Sequence, residues 1–294
     1  MINFRYHVVS IIGIFIALAV GVVLGAGPLQ RSINAGMNPS SSQAASDPVL
    51  SAQAEAEAAG LKALASSTLA GSLTGTSVAL VVLPGASDDD VSAMRSTLTD
   101  AGASVVGRVT LTDNWQSTSM SQYRTTLATT LASHLESGAA KTASADGVVG
   151  YSILQVLTST GAETDLLRQI LTDKSTPLMT IDEDPAGKAT TLVAVGARAQ
   201  AATSTQASVA ASSDAWIGLG LAVGSTSGVV VGDASSREAM ISQIRTSGTA
   251  VTTVDSVGTT LASVDTALAL STASNGARAY GVGNGAQSVI PSIK

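Results

Sequence analysis

Residues 77–90, Ser-Val-Ala-Leu-Val-Val-Leu-Pro-Gly-Ala-Ser-Asp-Asp-Asp, decide the fold of this chain. Val78 to Leu83 is an unbroken apolar run of strand length, the pattern of a strand buried on both faces. Pro84-Gly85-Ala86 turns the chain, and Ser87 with Asp90 three residues later forms a capping pair that opens a helix to about Asp100. Three carboxylates in the first turn suit the positive end of the helix dipole. Gly102 closes the helix, and Ala103 to Leu111 reads as the next strand. A buried strand, a capped helix and a second strand imply an α/β domain, with a largely parallel sheet and helices on both faces.

The same order returns toward the other end. Gly228 to Val231 reads as a strand, Gly232-Asp233-Ala234 as a turn, and Ser235-Ser236-Arg237-Glu238 as a second capping pair. The helix is predicted to run to about Thr246, with Gly248 ending it and Ala250 to Val254 as a strand. An internal duplication and two uses of one βαβ unit both account for this. Between the two units, Ser119–Glu136 and Glu163–Asp173 read as helices, and Pro177–Ile181 and Ala189–Val195 as strands. Thr205–Gly224 reads as a long buried helix containing Gly218, Gly220 and Gly224; a second membrane span is its alternative. The exported α/β domain is placed at 76–294.

On the N-terminal side, Val8 to Ala26 is uncharged and almost wholly apolar, long enough as a helix to cross a bilayer core. A signal peptide has a shorter apolar centre, and Pro28 follows the only well-placed small-residue site, Gly25-Ala26-Gly27; the run reads as a retained anchor. The expected division is a cytoplasmic tail at 1–7, a transmembrane anchor at 8–27 and a stalk at 28–75. Gly13, Ala17, Gly21 and Gly25 fall on one helix face, a candidate packing face for a second helix. Pro28 to Asp47, with Pro39 and a serine run at Ser40, Ser41 and Ser42, reads as a flexible stretch. Pro48 to Leu73 reads as a helix capped by Asp47. Leu50, Ala54, Leu61 and Leu64 follow a heptad stripe broken by Glu57, which fits a short coiled coil between two copies or packing against the domain. A homodimer is the expected assembly, with the N-terminus inside and the domain outside the cytoplasmic membrane, in the periplasm-like space and cell wall zone.

The chain is 45% hydrophobic but only 3% aromatic, so its core is built of Ala, Val, Leu and Ile. A net charge of −6 argues against nucleic acid as a partner. With no cysteine, the exported domain rests on its core without disulfides.

The chemistry read from the sequence is mostly negative. His7 and His134 are far apart, and neither Ser87 nor Ser235 sits in a Gly-x-Ser-x-Gly elbow, so both read as caps. Gly281-Val282-Gly283-Asn284-Gly285 is followed by Pro291 rather than by a helix, and reads as a terminal loop, not a dinucleotide fingerprint. Asp182-Glu183-Asp184 follows a predicted strand; a hard-cation site and a solvated turn both fit it. No catalytic constellation and no cofactor motif emerges, so the expectation is a non-enzymatic protein.

A resemblance now enters. Met1-Ile2-Asn3-Phe4-Arg5-Tyr6-His7, followed by the run Ile14 to Gly25, is similar to the actinobacterial family of single-pass envelope proteins named for copper transport, the MctB-like proteins. The likeness returns at Val82 to Ala86, at Thr253-Val254-Asp255, at Leu268-Ala269-Leu270 and at Tyr280 to Ala286. Within that family the chain looks closest in kind to corynebacterial SteB. That resemblance implies a SteA-like membrane partner and a role in cell separation through control of a peptidoglycan hydrolase. The family name implies instead copper export or an outer-membrane channel. Against this, copper favours thiolate, thioether and imidazole, and six scattered Met with two distant His supply little. A third reading is a solute-binding or enzymatic domain using the strand ends near Pro84-Gly85 and Asp182.

Overall fold

The computed structural model describes residues 48–199, 210–273 and 276–292. The tail at 1–7, the anchor at 8–27 with Gly13, Ala17, Gly21 and Gly25, and the stalk before Pro48 lie outside the described residues. Contacts divide the chain after Ala56, within helix α1 (Pro48–Leu69).

Ser77–Val82 forms β1, with five of its six residues buried, as its apolar run requires. Helix α2 (Asp88–Asp100) and strand β2 (Ser104–Leu111) follow. A helical stretch comes next: α3 (Asp113–Gln116), α4 (Ser121–His134), α5 (Gly138–Lys141), α6 (Ala145–Thr158) and α7 (Ala162–Leu171). The remainder alternates: β3 (Met179–Glu183), β4 (Thr191–Val195), α8 (Ser213–Ser225), β5 (Val229–Val231), α9 (Met240–Thr246), β6 (Thr252–Val254), α10 (Thr260–Ser271) and β7 (Ala279–Tyr280). All seven strands share one sheet in the order β3-β2-β1-β4-β5-β6-β7, so the two βαβ units are joined in it. Every neighbouring pair is parallel except β2 and β3.

Side-chain alternation along β1 separates two apolar layers. Ala79, Val81 and Leu83 pack with α6, α7, α8 and α9 through residues such as Ile153, Leu167, Leu219 and Ile241. Val78, Leu80 and Val82 pack with Leu69, Met94, Leu98 and Ala267 from α1, α2 and α10. The β1–α2–β2 and β6–α10–β7 crossovers thus use the same face, yet step outward in opposite directions. They have opposite hands, an uncommon arrangement for parallel crossovers. Outside β7, Gln287 N–H donates to the Ala279 carbonyl (2.8 Å) and Gly281 N–H to the Ser288 carbonyl (3.0 Å).

Several expected boundaries move. The first helix ends at Leu69 and not at Leu73, because Gly71 takes a left-handed φ of 74° and Leu73 leaves the helix to bond Ala101 and fill the core. On α1, Leu61 is half-buried, Ala65 and Leu69 are buried, and Leu50, Ala54 and Leu64 are exposed. The second unit's helix begins at Met240, not near Ser236: the Asp233 side chain accepts from both the N–H and the hydroxyl of Ser235, holding a turn there. The strand expected at Pro177–Ile181 is β3, shifted by two residues and antiparallel. The long helix expected from Thr205 is α8, starting at Ser213; 205–209 lie outside the described residues. Among the described residues, no helix is long and apolar enough to cross a membrane.

Gly218 serves a close helix crossing. A Cβ there would run into the Asp146 carbonyl on α6, and one at Gly150 into the Gly218 carbonyl. Backbone cannot yield as a side chain does, and overpacking typically costs 1–3 kcal/mol. Gly218→Ala is expected at the upper end, about 3 kcal/mol, read as a lowered urea midpoint with unchanged slope.

Candidate functional site

In an open α/β sheet, ligands are taken at the carboxyl ends of the strands where the strand order reverses. Here that point lies between β1 and β4, bounded by the turn Leu83–Ala86 and the segment after Val195. Arg198 closes it. Its Nε donates to Asp90 Oδ2 at 2.8 Å and its Nη2 to Asp90 Oδ1 at 2.5 Å, a two-pronged pair between the β4 end and the first turn of α2. Asp90 is buried while the Arg198 side chain is 54% exposed. The hydrogen bonds and charge of Asp90 hold the Arg198 proton more tightly than usual. Arg198 also lies against Gly258, whose φ of 88° and lack of a Cβ let the guanidinium pass.

The start of α2 is likewise occupied by its own chain. The Ser87 hydroxyl accepts the Asp89 N–H at 3.3 Å, and Asp88, Asp89 and Asp90 fill the first turn. The N-terminal end that would attract a phosphate in a nucleotide-binding relative of this topology meets three carboxylates instead. Asp90, expected to reach back as a capping partner, is turned to Arg198. Beside this pair a cavity of about 280 Å³ opens between α1, α2 and α10, floored by Val195, Val231 and Val257.

A second, more polar crevice lies at the ends of β5, β6 and β7, and one residue organises it. Asp255 is buried at the end of β6. Its Oδ1 accepts from the Ser256 hydroxyl (2.7 Å) and Val282 N–H (2.9 Å). Its Oδ2 accepts from Gly283 N–H (2.9 Å) and Arg245 Nη1 (3.0 Å). Burial pushes its pKa up, but the donors from Ser256, Val282, Gly283 and Arg245 outweigh that and hold it below the usual carboxylate range. Arg245 binds further to the Thr253 hydroxyl and to the carbonyls of Tyr280 and Asn284. Its burial lowers its pKa against the pull of Asp255. The glycines of 281–285 now have a reason. Gly281, at φ 121°, lies where any Cβ would strike the Asp255 carboxylate, and one at Gly283 would strike Ala234. The predicted terminal loop is a collar around a buried charge.

Asp265, in the middle of α10, is the contrasting carboxyl. It is fully buried, and neither oxygen has a hydrogen-bond partner among the described residues. Burial, and then the charge of Asp255, push its pKa up to about 7.

The sequence-derived site residues are not brought together. Asp182, Glu183 and Asp184 each face a different arginine: Asp182 faces Arg108 at 3.4 Å, Glu183 faces Arg95 at 2.7 Å, and Asp184 is bound by Arg168. Among the described residues, no group of three or more His, Cys, Asp and Glu is placed to share an ion. His134 is half-buried, 2.6 Å from Glu163. Ser87 caps α2, whereas Ser235 sits in the Asp233 turn. Arg198, Arg245 and Asp265 were not found from sequence; for Asp255 the signal was an acidic residue directly after an apolar strand, with a Gly-x-Gly-x-Gly run downstream.

A family model described as copper transport outer membrane protein, MctB, matches residues 1–291. No curated protein matches the chain.

Proposed function

The chain belongs to the MctB family, and from that premise we propose a membrane-anchored, non-enzymatic envelope protein that works by protein contact. The observation that supports this reading lies at the switch point: Arg198 is already paired with Asp90, and α2 begins on three carboxylates, so both groups that would take an anionic substrate there are engaged by the chain itself. By its resemblance to SteB proteins, the contact would be with a SteA-like membrane partner and a peptidoglycan hydrolase, in cell separation. The apolar run 8–27 would anchor a homodimer through Gly13, Ala17, Gly21 and Gly25.

The second reading is copper transport, favoured by the family's description. The described donors do not fit that cargo: Met94, Met179 and Met240 are buried in the apolar layers, Met120 is half-buried in the turn before α4, and His134 faces Glu163. Soft ligands so dispersed supply no relay for the metal. A deletion strain separates the two readings. Contact function predicts chained, unseparated cells with ordinary copper tolerance, and co-purification of a peptidoglycan hydrolase with the full chain. Normal separation together with copper sensitivity would overturn it in favour of the second.

A further inference from the structure

We propose that the crevice at the carboxyl ends of β5, β6 and β7 binds an uncharged, hydroxyl-rich ligand, a saccharide. The space measures about 660 Å³ and is framed by three turns, 233–235, 255–257 and 282–285. Pockets of this size are normal for small ligands. The three turns are tied in place before any ligand arrives. Asp255 fixes 282 and 283, Asn284 N–H and Nδ2 both bond the Ala234 carbonyl, and Asp233 fixes Ser235. A pre-ordered frame spares the ligand the cost of ordering loops.

What remains unspent along this frame selects the ligand. The Ser256 hydroxyl is given to Asp255 and that of Ser235 to Asp233, and the Asn284 amide nitrogen to Ala234. Left over among the described side chains are one N–H of the Asn284 amide, its Oδ1, the oxygen lone pairs of Ser235 and free lone pairs on the Asp233 carboxylate, so acceptors outnumber donors. Hydroxyl groups, which donate and also accept, match that set. Among the described residues no lysine or arginine lines the crevice, and the nearby Arg245 is engaged by Asp255 and three other oxygens. An anion would meet the half-buried Asp233, whose carboxylate is bonded only to Ser235 among the described residues. Val282, 70% exposed, and the exposed Ala199 supply apolar contact for the C–H faces of a sugar ring, with the buried Ala234 and Val257 behind them. Nothing in this geometry depends on the cellular role proposed above.

Calorimetric titration of the full chain in detergent tests it, with chitotriose, maltotriose and inorganic phosphate as separate probes. One of the two neutral trisaccharides is expected to bind saturably at one site per chain, and phosphate not to bind. Asn284→Ala should weaken that binding about tenfold, the loss of one good hydrogen bond. Ser235→Trp, at an exposed position, should fill the crevice and abolish binding, with an unchanged urea midpoint as the check that the fold is kept. No saturable heat with either trisaccharide, phosphate binding that Ser235→Trp removes, or wild-type affinity in both variants would each overturn the proposal.

Discussion

Asp255→Ala lowers the free energy of unfolding by about 3–5 kcal/mol, the usual consequence of leaving one member of a buried ion pair alone. The full loss is expected because four donors converge on this carboxylate and two of them are backbone N–H groups of the collar. Arg245 would remain nearly sealed, with a 7% exposed side chain, still bonded to carbonyls but without its countercharge. Urea unfolding measures the loss, and limited proteolysis should open first at 281–285. A change under 1 kcal/mol would mean that Asp255 does not hold the collar. The pH sign follows from the lowered pKa: the folded state binds this proton less readily than the unfolded chain. The contribution is complete above the ordinary carboxylate pKa and is lost as the pH falls through the depressed one.

Asp265→Asn has the opposite effect. The group has its ordinary pKa, near 3.8, in the unfolded chain and about 7 when folded. Between those values the folded state holds a proton that the unfolded state has released, so stability falls by about 1.4 kcal/mol per pH unit as the pH rises. Across the window this amounts to roughly 4 kcal/mol. Asn keeps the size and removes the ionisation. The variant should match the wild type near pH 4 and exceed its stability by about 4 kcal/mol at pH 7 and above. Parallel stability curves for the two proteins from pH 4 to 8 would refute the assignment. Taken together, Asp255 and Asp265 displace the stability maximum of the native protein toward mildly acid pH.

The parts of this fold that could be read in the sequence are those whose causes are local. Val78–Leu83 announces β1 because burial on both faces leaves no polar position, and Ser87 announces α2 because a cap acts within its own turn. Helix α10 gave no such signal: all nine residues from Ala262 to Leu270 are buried, so there is no polar face and no helical period to detect. Helix α6 is similar, with buried Gly150 answering to the Gly218 carbonyl of α8 rather than to its own helix. Asp90 was misread for the same reason. Its spacing from Ser87 fits a capping pair, while its actual partner is 108 residues away. The direction of β3 also depends on its neighbour, since nothing in Met-Thr-Ile-Asp-Glu specifies parallel or antiparallel pairing. The collar was visible as glycines, and their purpose only as Asp255.

The strand order has a consequence for how the molecule is assembled. Ser77 on β1 meets Thr190, at the threshold of β4, across 113 residues, and in the finished sheet β1 is an inner strand between β2 and β4. Loop closure over such a separation is slow compared with the pairing of β1 and β2. A chain made from its N-terminus therefore carries a bare edge on β1 until residues 191–195 exist, exposed to any other chain with an unpaired strand. After that point growth is orderly: β4, β5, β6 and β7 each cover the previous edge and create the next. The sequence of additions ends where Gln287 and Ser288 bond the outer side of β7, so the chain's own tail terminates the sheet that its middle was slow to join.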